Sequence, residues 1–143
     1  MLGILGLYAW QGKLPPSSGF VLTALGVSLG LVTLGLLSST FHLGHPERAW
    51  RAFREWRSSW LSREGIAAVA TYVPALMFGA GWLAEAPGLV GASGALAAVG
   101  SVLTIVCTGM IYASLRAVPT WYCAWVPWVY LSFAVMSGGL WLL

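Results

Sequence analysis

The sequence predicts an all-α fold, a polytopic membrane helical bundle, and three observations carry that prediction. Of its 143 residues 59% are apolar and only 8% charged, with a mean hydropathy of +0.82. A soluble domain carries about 25% charged residues. A window of about 20 apolar residues, the length that crosses a bilayer as a helix, fits the chain four times. Finally, five of the seven basic residues lie between Arg48 and Arg63, so the net charge of +3 is a property of one connection. These features exclude a soluble enzyme, a nucleic-acid binder and a disordered tail.

Taken in order, the elements form one integral membrane domain over residues 1–143. The stretch 1–12 opens with the apolar run Met1 to Trp10, whose ten residues reach only about 15 Å against a hydrocarbon core of about 30 Å. It lacks the basic flank and small-residue cleavage site of a secretory signal, so it reads as the tail of a helix whose beginning is missing. Turn formers from Gln11 to Gly19 end it. Four transmembrane helices follow at 20–41, 66–84, 92–115 and 121–143. Pro74 and Pro127 fall inside these spans and are expected to kink them. Gly26 with Gly30, and Ala97 with Ser101, form small-residue pairs that let a neighbouring helix approach. No internal repeat suggests an inverted-repeat transporter.

Residues 46–60 read as an interfacial amphipathic helix. Started by Pro46 and projected at 100° per residue, Ala49, Trp50, Phe53, Trp56 and Trp60 share an arc of about 120°, with Arg48, Arg51 and Arg54 opposite and Arg57 at the border. Such a helix lies in the headgroup plane, or docks a partner protein, or both. Counting Lys and Arg in alternate loops places His42 to Arg63 on the cytoplasmic side of the inner (plasma) membrane, with Arg116 on the same side and Lys13 dissenting.

Ionisable groups are expensive near a bilayer, so His42, His45, Arg63, Glu64, Glu85 and Arg116 are where function is sought. His42 closes one span and Glu64 precedes the next, so both sit at the same interface. The helix macrodipole favours a histidine at a C-terminus and a carboxylate in a first turn irrespective of any activity. Their shared side and the aromatics between them fit a quinol site, which needs an apolar slot, a hydrogen-bond partner for a quinol oxygen and a proton acceptor near water. Two histidines three residues apart cannot clamp a haem between helices. Cys107 and Cys123 have no ligand-spaced neighbours, so no metal site is expected.

The run Ser39–Thr40–Phe41–His42–Leu43–Gly44–His45–Pro46–Glu47–Arg48–Ala49, then Ser59–Trp60–Leu61–Ser62–Arg63–Glu64, then Gly109–Met110–Ile111–Tyr112–Ala113 and Val118–Pro119–Thr120–Trp121, resembles the membrane anchor subunit of dimethyl sulfoxide reductase-type molybdenum enzymes. The resemblance covers most of the chain from about Gly26 onward. It implies a haem-free anchor that oxidises menaquinol in anaerobic respiration and passes electrons to an iron–sulfur subunit and then to a molybdopterin catalytic subunit. It further implies a quinol-site role for His42 and Glu64. Members of the family are usually about twice as long, and where many have isoleucine this chain has Gly65.

The expected site therefore comprises His42 and Glu64 as proton-handling residues, with His45, Trp50, Phe53, Trp56 and Trp60 as the quinol-binding margin and Arg48, Arg51 and Arg63 as the docking surface. No cofactor is expected within this chain. Menaquinol is the expected substrate, with iron–sulfur clusters and molybdopterin in the partner subunits. The alternative is a non-catalytic scaffold or remnant that only tethers a partner complex. A small transporter ranks lower because every acidic residue lies near the end of a span.

Overall fold

In the computed structural model, residues 1–13, 18–41 and 45–142 are described, and among them there is no strand. The chain forms α1 (Leu2–Trp10), α2 (Ser18–Phe41), a 3₁₀ helix (Pro46–Glu55), α3 (Trp60–Leu83), α4 (Pro87–Ala113) and α5 (Val126–Leu140). α2, α3 and α4 are long and apolar enough to cross a membrane. With its 15 residues α5 is shorter, about 22 Å at the helical rise, less than a typical hydrocarbon core. His42, expected to be central to the site, lies outside the described residues.

Several boundaries differ from the sequence expectation, each for a local reason. α3 begins at Trp60 rather than Ile66, because Ser59 is its N-cap and accepts a hydrogen bond from the Ser62 backbone N–H at 3.4 Å. Arg63 thereby becomes a helical residue instead of a loop residue, and Glu64, expected to open the helix, lies in its second turn. α4 begins at Pro87 rather than Ala92, with the proline in the first turn, where its missing N–H has no cost. α5 begins at Val126 rather than Trp121, so Pro127 starts a helix and does not kink one. The preceding residues are held in turns, among them the bonds from Trp121 N–H and Tyr122 N–H to the Val118 carbonyl.

The α3–α4 connection is closed by a Schellman motif. The Ala86 N–H donates to the Gly81 carbonyl at 2.9 Å and the Glu85 N–H to the Trp82 carbonyl at 3.3 Å. This arrangement puts Glu85 at φ 51°, the left-handed region usually taken by glycine. Glu85 is thus a turn residue with a backbone task.

α4 is the hub, packing against α3, α1 and α5, while α2 leans on α3 and α1. The core joins Ala9, Val21, Leu25, Ala75, Phe78 and Val90. Only the first half of α2 takes part: Val21, Ala24, Leu25 and Ser28 are buried, whereas Leu31, Val32, Leu34 and Leu37 are exposed. In lipid such exposure costs little, because acyl chains are as apolar as leucine. The two small-residue pairs behave differently. Ala97 is buried and Ser101 lies against Gly3 of α1, whereas a side chain at Gly26 or Gly30 would meet open space.

Candidate functional site

The segment Ser59–Glu64 builds the site from consecutive residues with separate tasks. Ser59 caps α3, and the Trp60 ring lies beneath the Arg63 guanidinium at 4.2 Å. That guanidinium donates from Nε to the Trp56 carbonyl at 2.8 Å and from Nη2 to the Arg57 carbonyl at 2.7 Å. It therefore clamps the end of the 3₁₀ region onto the start of α3. Arg63, expected to face a partner protein, is engaged within its own chain.

One residue further, Glu64 turns toward α4. Its Oε1 lies 2.5 Å from the Thr108 hydroxyl, which is also 3.0 Å from the Thr104 carbonyl one turn back. Among the described residues no basic group lies within ion-pair distance of Glu64; both ion pairs found there involve Glu47. Glu64 is half-buried, with Cys107 of α4 and Tyr130 of α5 in its neighbourhood. Beside it Gly65 provides a seat for Phe53, since a Cβ there would stand 3.2 Å from Phe53 Cε1. A ring from the 3₁₀ helix thus lies next to the carboxylate-bearing turn.

Between Pro46 and Glu55 the helix is 3₁₀ and not α. With 3.0 residues per turn, positions i and i+3 eclipse, so a strict three-residue repeat forms straight rows. Trp50 and Phe53 continue into Trp56, and Arg48, Arg51 and Arg54 continue into Arg57. Trp60 leaves the row because it opens α3. Trp50 and Trp56 are exposed and are accompanied by Arg51 at 5.6 Å and Arg57 at 5.4 Å from their ring centroids. His45 is exposed as well, its Nδ1 3.0 Å from Glu47 Oε1, with Arg48 Nε 3.8 Å from the same oxygen. Of the expected margin, Phe53 touches the Glu64 turn at Gly65 while remaining 42% exposed, and His45, Trp50 and Trp56 are exposed too.

The sequence reading missed Thr108 and the aromatic group behind it. Tyr112 lies one turn beyond Thr108, stacks on Tyr130 at 5.4 Å and 19°, and takes Trp121 edge-on at 5.3 Å and 81°. Residues four apart share a helix face, so Thr104, Thr108 and Tyr112 form a polar line along an otherwise apolar span. That spacing was the available signal.

An apolar cleft of about 780 Å³ approaches this site along α4. It reaches Ala68, Thr104 and Ile105, about one helical turn from Glu64 and Thr108. The hydroxyls on its wall are internally bonded: Ser28 to Ala24, Thr71 to Ala67, Ser101 to Ala97, Thr104 to Gly100, Ser137 to Phe133, and Tyr72 with Thr33. The cleft therefore presents mostly hydrocarbon. Among the described residues no group of three or more His, Cys, Asp or Glu side chains is placed to hold a metal ion.

Comparison with known proteins finds relatives by sequence. No solved structure matches the chain. It is 40% identical over 147 residues to a sulfite dehydrogenase subunit of Allochromatium vinosum, covering 92% of this chain and 45% of that protein. It is 33% identical over 118 residues to a component of the anaerobic dimethyl sulfoxide reductase of Escherichia coli K12, covering 77% of this chain and 39% of that protein. The sequence thus spans less than half the length of either relative. The model of the DMSO reductase anchor subunit (DmsC) family matches residues 2–142, nearly the whole chain. This chain belongs to the DMSO reductase anchor subunit (DmsC) family.

Proposed function

We propose that the chain is the quinol-oxidising membrane anchor of a dimethyl sulfoxide reductase-type molybdoenzyme. The observation that carries the proposal is Glu64. This carboxylate has a hydroxyl neighbour but, among the described residues, no ion-pair partner, and it stands about one turn from an apolar cleft. Oxidation of a quinol to a quinone releases two electrons and two protons. Glu64 takes one proton on its carboxylate, and His42 is the hydrogen-bond partner of the other quinol oxygen and the acceptor of its proton. The electrons leave to an iron–sulfur subunit and from there to a molybdopterin catalytic subunit, as part of anaerobic respiration. The substrate is menaquinol.

The arginine row Arg48 and Arg51, exposed beside the aromatic row, is the docking surface for the iron–sulfur partner. The basic segment faces the cytoplasm of the inner membrane, following the arginine asymmetry.

The test separates quinol chemistry from assembly. His42→Ala and Glu64→Gln, each in the membrane complex containing this chain, should slow quinol-dependent turnover by about a hundredfold or more. Turnover with an artificial soluble electron donor should stay at the wild-type level. Equal loss of both activities would identify the chain as a tether whose assembly had failed.

A further inference from the structure

Thr108 has one hydroxyl proton and two acceptors within reach. Its oxygen is 2.5 Å from Glu64 Oε1 and 3.0 Å from the Thr104 carbonyl, and a single O–H can point straight at only one of them. The choice between them depends on Glu64. When the carboxylate is charged it can only accept, so the Thr108 proton points to Oε1. When Glu64 carries a proton it can donate to the Thr108 oxygen, and the Thr108 proton is free to turn to the Thr104 carbonyl.

We propose that Thr108 is the positioning residue for Glu64, holding its carboxyl in one place through both protonation states by rotating its hydroxyl between Oε1 and the Thr104 carbonyl. No proton leaves Thr108 at any stage. The proton arriving from the substrate stays on Glu64, and the Glu64–Thr108 hydrogen bond is kept in both states with its direction reversed. A fixed acceptor is what a proton transfer needs, because the reacting atoms must be held within hydrogen-bond reach. The inference rests on the reading of Glu64 as the proton acceptor.

The surroundings give the hydroxyl this task by default. Arg63, next to Glu64 on α3, is directed to the Trp56 and Arg57 carbonyls. On α4 the nearby titratable groups are Cys107 and Tyr112, and on α5 Tyr130; all three lack positive charge at neutral pH. From the 3₁₀ side the neighbour is the apolar ring of Phe53.

The experiment compares Thr108→Val and Thr108→Ser in the membrane complex. Valine keeps the shape and removes the hydroxyl; serine keeps the hydroxyl. Thr108→Val should lower quinol-dependent kcat by about tenfold or more, with KM changed less than about twofold, and leave turnover with the artificial donor unchanged. Thr108→Ser should restore kcat to within about threefold of wild type. Independently of turnover, the infrared carbonyl band of protonated Glu64, identified by its absence in Glu64→Gln, should move to higher frequency in the valine variant and return in the serine variant. Wild-type kcat and an unmoved band in Thr108→Val would overturn the proposal while leaving Glu64 in place. If Glu64→Gln itself keeps wild-type quinol turnover, the reading of Glu64 falls and the role of Thr108 falls with it.

Discussion

Near its start α4 lies against α1 backbone to backbone, and near its end it meets α3 through a hydroxyl and a carboxyl. At the first contact a side chain on Gly6 would overlap the Gly94 carbonyl, and one on Gly94 would come within 2.9 Å of Ala9 Cβ and 3.0 Å of the Gly6 carbonyl. At the second contact Thr108 and Glu64 face each other, and Phe53 fills the place above Gly65. The contrast shows how a chain with few charges divides its work. Dispersion between closely approaching backbones holds α4 to α1 at Gly94 and to α5 at Gly109, and polar groups are confined to the face that α4 turns toward Glu64. Near the end of α4, close packing and polar chemistry thus occupy adjacent residues on different faces.

The comparison breaks most directly at the tight end. Gly6→Leu should destabilise the folded chain by on the order of 3 kcal/mol, read as a sharp drop in the amount of folded protein in membranes and in its Tm. The same substitution at Gly26, where a side chain meets open space, should change Tm by no more than a degree or two. Similar losses at both positions would mean that the glycines matter for something other than close approach.

At the polar end the expected effects are on activity. Gly65→Ile adds a branched side chain whose Cβ would press on Phe53 Cε1 at 3.2 Å. The ring must move off α3, and quinol-dependent turnover should fall about three- to tenfold with an unchanged artificial-donor rate. Faster cleavage of the 3₁₀ segment by added protease would report the displacement. The smallest effect is expected at the α3–α4 turn. There Glu85→Gly relieves a left-handed backbone and should raise stability by about 0.5–1 kcal/mol, seen as a modest rise in Tm.

Much of this division is visible in the amino-acid order, and the parts that are not share a cause. Composition and window hydropathy identify α2, α3 and α4 as spans, because burying 20 or so apolar residues in lipid needs no long-range information. Helix starts are set by caps and first-turn prolines. A start near Ile66 leaves Arg63 in the loop, although Ser59 marks an earlier one. The 3₁₀ helix was concealed because a row repeating every three residues also falls within a broad arc at 100° per residue. Glu64 stood out as a carboxylate at a membrane boundary, but its partner is 44 residues away on another helix. Local pattern can show that Thr108 shares a face with Tyr112; it cannot show what that face meets.

The central claim is that Glu64 takes a proton from a membrane quinol. It is tested most directly by the ratio of quinol-dependent to artificial-donor turnover in the same membranes, measured for wild type and for Glu64→Gln. The account predicts that the ratio falls by about a hundredfold or more, with the artificial-donor rate unchanged. A Glu64→Gln complex with the wild-type ratio would contradict it.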